Sequence, residues 1–374
     1  DERGADFAAR MHAVEHDAAA HTELTRVLGE VRQLGPTDGL AVLLGIVAAH
    51  ELAPAGAELA AASVDVARVV GDPEILGWSL WYRTLCDPGS PEVYARHTEE
   101  ALQHARAHRL KTLLPWLITS SAVRASHDGS LSAAAALFRE AYEIAKASGA
   151  KMAIARGAIF VALGHAELDE GEIMLPYLDE AIASARDTGD RGFLAATLWQ
   201  AAWGEFQTGM FQRQRDHAEE ALALADGGVD EKTTWRAHQM LVRAYTALGD
   251  LERARHHEVE MRRISVDTED QVTMDLASAQ LAAAEGRPDA ETRFRSVLQR
   301  ITSTDARYVS GYVKWDWIRS LCQEWLAALL AGQGRSAEAR ELLTAAQAFW
   351  RDPIAARRRA GIRQKIEELA VPTR

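Results

Sequence analysis

Residues and motifs on which much enzyme chemistry depends are scarce or absent in this 374-residue sequence. It has two cysteines, Cys86 and Cys322, far apart in the chain. This argues against a disulfide framework or a zinc knuckle and favours two buried free thiols. No G-x-x-x-x-G-K-S/T loop, G-x-G-x-x-G turn or G-x-S-x-G elbow is present, so P-loop, dinucleotide-binding and nucleophile-elbow signatures are missing. We therefore expect no cofactor, no bound metal and no enzyme activity.

Positive charge and long apolar runs are also lacking. The formal net charge is −12, which argues against direct nucleic-acid binding, because that needs a basic face. The sequence shows no signal peptide and no apolar run of ~20 residues, so we expect a cytoplasmic protein that does not enter a membrane. It begins at Asp1 rather than Met, which favours a part of a longer protein.

Alanine is abundant and runs of β-branched residues are few, which predicts an almost entirely helical protein. The best-formed unit, residues 235–267, is centred on Leu248-Gly249-Asp250-Leu251. Apolar residues at helical spacing run into Gly249 and out of it again. Gly249 can adopt the left-handed conformation that ends a helix, and the Asp250 carboxylate can cap the next helix. The unit is therefore predicted to be a helix–turn–helix hairpin.

This hairpin recurs along the chain. Six glycines lie between two helical runs, at intervals of 37 to 48 residues. At the position seven residues before them, five of the six residues are Ala or Gly, as two closely packed helices require where they cross. A repeat of this length is typical of a solenoid. The turn glycines are Gly129, Gly171, Gly209, Gly249, Gly286 and Gly334.

The turns and second helices resemble those of the tetratricopeptide (TPR) family, at Gly249-Asp250-Leu251 with Ala254, and at Gly129-Ser130-Leu131 with Ala134, Phe138 and Ala141. The resemblance implies an all-α, right-handed superhelical solenoid of about eight TPR-like helix hairpins. We expect N-terminal capping helices in 1–36, the repeat array in 37–350 and a C-terminal capping helix in 351–374. Because the repeats are nearer 40 than ~34 residues, the array is similar to the sensor arms of bacterial STAND-type and LuxR-type transcriptional regulators.

The resemblance also implies which residues face the concave groove, since the first helix of each TPR hairpin lines it. Nine of the ten tryptophans, Trp116 among them, fall in predicted first helices. Positions ten, six and three before a turn glycine are implied to face the groove, and in the central hairpin these are Trp199, Trp203 and Phe206. The neighbouring hairpins contribute Val161, His165, Leu168, Gln239, Arg243, Thr246, Gln280 and Ala283, together with Asp275, which lies eleven positions before Gly286. Aromatic rings beside hydrogen-bonding groups suit a ligand with apolar and polar parts.

Each of these residues also has a structural interpretation. A helical tryptophan packs between helices more often than it contacts a ligand, and we interpret Trp78 and Trp81 in that way. The guanidinium of Arg243 is suited to a carboxylate or phosphate, but a salt bridge to Glu205 or Asp275 is an equal alternative.

One metal motif is present near the N-terminus. His12, Glu15 and His16 fit H-x-x-E-H, the inverted zinc-peptidase signature. That motif belongs on a helix of an α+β domain, and this sequence predicts no sheet. A solvated terminal helix is the favoured interpretation, and a metal-dependent hydrolase is the remote alternative.

Two functions remain open. The first is a non-catalytic sensor or interaction domain of a bacterial transcriptional regulator, which binds a small effector, protein or peptide in its concave groove. The second is a free-standing TPR adaptor that holds a peptide or helix of a partner protein. Homo-oligomer formation also stays open, because the ends and grooves of solenoids offer surfaces for it.

Overall fold

The computed structural model describes residues 35–50, 55–86, 91–127, 129–225, 231–264, 268–303 and 315–370. Every regular element in these ranges is a helix. In chain order the α-helices are α1 (Asp38–His50), α2 (Ala55–Val70), α3 (Pro73–Cys86), α4 (Pro91–Ala107), α5 (Leu114–His127), α6 (Leu131–Ser148), α7 (Lys151–Glu167), α8 (Gly171–Asp187), α9 (Arg191–Gln207), α10 (Phe211–Ala225), α11 (Glu231–Leu248), α12 (Leu251–Arg263), α13 (Thr268–Ala284), α14 (Ala290–Ser303), α15 (Trp315–Gly332), α16 (Ser336–Gln347) and α17 (Ala356–Glu368). A short 3-10 helix, Pro353–Ala355, precedes α17.

Helices α1 to α16 form eight consecutive hairpins, and each hairpin packs on the next. The first helices of successive hairpins also pack on one another in series from α5 to α15. In the described part of the chain, successive second helices do not pack together to the same extent, so they are spread apart on the outer side. The predicted all-α solenoid of about eight hairpins is confirmed, with the first helices as its inner layer.

Left-handed residues end the helices at most of the predicted turns. Gly249 has φ 80°, and the Asp250 side chain accepts a hydrogen bond from the backbone N–H of Arg253 at 3.2 Å, as the cap prediction requires. The residues seven positions before the turns pack at the helix crossings. Ala122, Ala202, Val242, Ala279 and Ala327 are all buried there.

The turn assigned to Gly171 is an exception, and that assignment was wrong. The left-handed residue is Asp169, with φ 62°, two positions earlier. Aspartate tolerates this conformation better than most side chains, so no glycine is needed there. Gly171 is instead the buried first residue of α8, where a Cβ atom would approach Met210 Cε to 2.9 Å. It permits close packing against the following turn.

The correction shifts the predicted groove positions of this hairpin by two residues. The residue seven positions before Asp169 is Ala162, which is fully buried like the other crossing residues. The residues equivalent to Trp199, Trp203 and Phe206 are therefore Ile159, Leu163 and Ala166, in place of Val161, His165 and Leu168.

The end of the array returns to its third and fourth hairpins. Asp352 accepts hydrogen bonds from the Ser132 backbone N–H at 3.1 Å and from its hydroxyl at 2.6 Å. Arg357 pairs with Glu172 at 2.5 Å. Helix α17 packs on α16, as a terminal cap would. The solenoid is therefore wound tightly enough that residues 220 positions apart are in contact.

The remaining sequence expectations concern the N-terminal segment, the two cysteines and membrane insertion. Residues 1–34 of the predicted N-terminal cap lie outside the described ranges, and so do His12, Glu15 and His16. Cys86 and Cys322 do not form a disulfide; Cys322 is buried, as expected, but Cys86 is only partly buried. Burial raises the pKa of the Cys322 thiol. Among the described helices, none combines the length and apolar character needed to cross a bilayer.

Candidate ligand site on the inner layer

Two first helices from distant hairpins bring four aromatic rings together on the inner layer. Trp203 and Phe206 lie on one face of α9, with ring centroids 5.8 Å apart. Helix α15 brings Trp317 to 5.2 Å from Trp203, and Trp325 to 5.7 Å from Phe206. Since α9 and α15 are three hairpins apart, only the curvature of the solenoid places these rings in contact.

Arg243 lies beneath the rings. It extends from α11, six residues before Gly249, and is 2% exposed. Its Cζ atom is 4.9 Å from the ring centroid of Phe206 and 5.3 Å from those of Trp203 and Trp325. The four rings themselves are only partly buried. We call this arrangement of Arg243 with Trp203, Phe206, Trp317 and Trp325 the Arg243 pocket.

Most of the hydrogen-bonding capacity of the Arg243 guanidinium is unused. Its Nη2 donates a long bond, 3.4 Å, to the carbonyl oxygen of Thr273 on α13. Its Nε and Nη1 are buried and have no acceptor among the described residues. Burial lowers the pKa of Arg243 to about 9, and no carboxylate among the described residues opposes the effect. A buried guanidinium in this state destabilises the fold.

The two carboxylates that were the alternative partners of Arg243 are bound elsewhere. Glu205 is fully buried and accepts hydrogen bonds from Arg213 at 2.8 Å and from His217 at 2.9 Å, both on α10. Asp275 pairs with Arg300 and lies 3.5 Å from Arg262. In the described part of the chain, the predicted salt bridge from Arg243 to either acid is therefore not formed.

Two glutamines add neutral polar groups on the inner layer. Gln239 lies one turn before Arg243 on the same face of α11, is 5% exposed, and its Nε2 has no acceptor among the described residues. Gln280 on α13 has a buried Oε1 for which the described residues provide no donor. The inner layer can thus present a cation, an amide donor and an amide acceptor to a bound molecule.

The remaining predicted site residues are not part of the Arg243 pocket. Trp199 lies under the guanidinium of Arg236, whose Cζ is 4.4 Å from the ring. Val161 is buried in the core, and His165 bonds to Glu170 at 2.7 Å. Trp116 packs in a buried cluster with Trp78 and Trp81. A ligand role for these four residues stays a prediction.

Sequence reasoning placed Trp317 and Trp325 in a first helix but did not select them as site residues. Trp325 lies nine residues before Gly334 and Trp317 lies two turns earlier, so neither occupies a position used to choose the site. They join the Arg243 pocket only through contact with α9, and no local sequence pattern indicates that contact.

Burial also shifts the pKa values of Glu167 and His257, in opposite directions. Burial raises the pKa of Glu167 to about 7, although the Ser126 hydroxyl donates to its carboxylate at 3.0 Å and so lowers it. Burial, and then the neighbouring His238 and His256, lower the pKa of His257 to about 4. Within the described ranges, no group of three or more His, Cys, Asp or Glu side chains is arranged to hold a metal ion.

Comparison with known proteins gives no family for this chain. No family model and no curated protein matches it. Among solved structures, the crystal structure of BtubC (BKLC) from P. vanneervenii is 18% identical, with a TM-score of 0.40 over 65% of this chain and 88% of that one. A circular tandem repeat protein with novel repeat topology and enhanced subunit contact surfaces is 15% identical, with a TM-score of 0.23 over 94% and 88%. At these scores the fold assignment rests on the helix packing described above.

Proposed function

We propose that this chain is a non-catalytic sensor domain that binds an effector in its concave groove, at the Arg243 pocket. The observation that carries the proposal is the fully buried Arg243, two of whose nitrogens have no acceptor among the described residues, beneath four partly exposed rings. Natural proteins keep such destabilising arrangements mainly at functional sites.

The groove is also placed well for signalling. A ligand between α9 and α15 contacts hairpins that are distant in sequence, so its binding free energy can change the curvature of the array. The resemblance to STAND-type and LuxR-type sensor arms supports a place in a bacterial transcriptional regulator. There, a change in curvature would alter contacts between this array and other domains.

The adaptor function is the alternative, and one experiment separates the two. Protein labelled with 5-fluorotryptophan is screened by ¹⁹F NMR against a library of small organic compounds and against a pool of short peptides. Trp203→Phe and Trp325→Phe variants assign the pocket resonances, and Trp116→Phe assigns one from the buried cluster.

We expect small molecules to shift the Trp203 and Trp325 resonances saturably while the Trp116 resonance stays unchanged. If only peptides shift the pocket resonances, the adaptor function replaces the sensor. If neither class does so, the pocket is a packing feature and the proposal is wrong.

A further inference from the structure

The Arg243 pocket indicates the charge and size of its occupant. We infer that it binds a small organic monoanion, whose carboxylate contacts Arg243 and whose apolar body lies against the rings of α9 and α15. This inference rests on the proposed function and specifies the ligand class of the same site.

The guanidinium of Arg243 favours an occupant that carries a negative charge. Of the five N–H groups on the guanidinium, the described residues accept only one, through the 3.4 Å bond to Thr273. The ring faces of Trp203, Phe206 and Trp325 attract the cation but accept none of its N–H groups in the plane of the guanidinium. A bound carboxylate supplies in-plane acceptors and a balancing charge together.

A carboxylate matches a single guanidinium better than a phosphate does. Arg243 supplies one positive charge at the pocket, and Arg236, two turns earlier on α11, lies over Trp199. A carboxylate carries one negative charge and is planar, which matches the fork of a single guanidinium. A phosphate carries up to two charges near pH 7, so part of its charge would remain unbalanced in a buried site.

The close packing of the rings over Arg243 limits the size of the occupant. Arg243 is almost fully buried, and the rings above it nearly meet, with Trp203 and Trp317 centroids 5.2 Å apart. An extended peptide backbone is too wide to lie along the bottom of such a site. Because rings at this distance are already in contact, an occupant reaches Arg243 by displacing one of them, and a planar or aliphatic body of side-chain size fits the space that one ring leaves. The Nε2 of Gln239, one turn away, is a further donor on the same face.

The test uses matched pairs of probes with the 5-fluorotryptophan protein. Each pair is a carboxylate and its neutral amide: 3-phenylpropanoate with 3-phenylpropanamide, and indole-3-acetate with indole-3-acetamide. Inorganic phosphate and a tetrapeptide pool are separate arms. The variants are Arg243→Met, Arg243→Lys and, as a matched control, Arg156→Met, whose guanidinium lies 4.2 Å from the Trp116 ring outside the pocket.

We expect at least one carboxylate to shift the Trp203 and Trp325 resonances with a dissociation constant of about 5 mM or lower, as small ligands commonly achieve. Its amide should bind at least tenfold more weakly. Binding should be lost in Arg243→Met, weakened in Arg243→Lys because the fork is gone, and retained in Arg156→Met.

Several results would overturn the inference, and they separate it from the proposed function. Equal binding of carboxylates and amides, or full binding to Arg243→Met, would leave a groove that binds ligands without selecting anions. Tighter binding of phosphate would overturn the choice of a carboxylate. A response to peptides alone would overturn the size argument and favour the adaptor. No response to any probe would overturn the inference, and the library screen then decides whether the groove binds anything.

Discussion

The chain contains two clusters of tryptophan with arginine, and they differ in which partner is buried. In the N-terminal cluster, Trp78, Trp81 and Trp116 are 3–6% exposed, while Arg156, whose Cζ lies 4.2 Å from the Trp116 ring, is only half-buried. In the Arg243 pocket the order is reversed, since the rings are partly exposed and the cation is buried.

The clusters also differ in how they are assembled. The N-terminal cluster comes from α3, α5 and α7, which are the first helices of adjacent hairpins. The Arg243 pocket joins α9 and α11 to α15, so it depends on the winding of the array. Residue type therefore does not distinguish the two clusters. Under the proposed function, the buried rings of the N-terminal cluster stabilise the fold, whereas the buried cation of the Arg243 pocket contacts the ligand.

The largest expected difference is in the free energy of unfolding after removal of one ring. Trp81→Ala should destabilise the protein by about 3–5 kcal/mol, because it opens a cavity in a buried cluster. Trp203→Ala should cost about 1–2 kcal/mol, because only the buried part of its ring loses contacts. Urea unfolding followed by circular dichroism measures both. Equal losses would mean that the pocket rings are ordinary packing elements.

The next effect is a gain in stability. Arg243→Met should raise the free energy of unfolding by about 1–4 kcal/mol, because it removes a buried charge that has no counterion among the described residues. Arg156→Met should instead lower it by about 0.5–1 kcal/mol, through loss of the contact with Trp116. The same urea unfolding experiment applies. A clear loss of stability in Arg243→Met would show that Arg243 supports the fold.

The pH dependence of that gain is smaller and has a definite sign. The pKa of Arg243 is about 9 in the folded state, well below the ordinary value of an arginine side chain. Between these values the unfolded chain binds more protons, so the stability of the parent rises with pH relative to Arg243→Met. From pH 8 to pH 10.5 the advantage of the variant should shrink by about 1–2 kcal/mol. An advantage that is constant over this range would contradict a depressed pKa.

The smallest effect concerns the contact that closes the solenoid turn. Asp352→Asn weakens the bonds from Ser132 and should cost about 0.5–1.5 kcal/mol. It should also shift the Trp317 and Trp203 resonances of labelled protein, because α15 and α9 face each other less closely. The Trp116 resonance should not move. Glu172→Gln is the control, since its exposed pair with Arg357 is worth little.

Much of the fold follows from local patterns. Turn residues and helical spacing predicted a second helix after the turn at Gly129-Ser130, and α6 is observed there from Leu131 to Ser148. The pattern was wrong at Gly171, where Asp169 takes the left-handed conformation. A small residue is expected seven positions before each turn residue. Ala162 fits this pattern for Asp169, but Gly164 fits it equally well for Gly171.

The candidate site was predicted only in part. Trp203, Phe206 and Arg243 were correctly placed on first helices because periodicity fixes which residues share a helix face. Trp317 and Trp325 were not selected, and the sequence left open whether Arg243 pairs with Glu205 or Asp275. Partner choice depends on distances between helices that are far apart in the chain.

The sequence by itself determined that this protein is a stack of helix hairpins whose tryptophans lie mainly in the first helices, because helix caps and apolar periodicity act within a few residues. Only the tertiary structure decided that α15 approaches α9, that Glu205 and Asp275 bind other arginines, and that Arg243 is left buried beneath the rings. The physical reason is that curvature accumulates from small rotations between successive hairpins, and no local stretch of sequence specifies their sum.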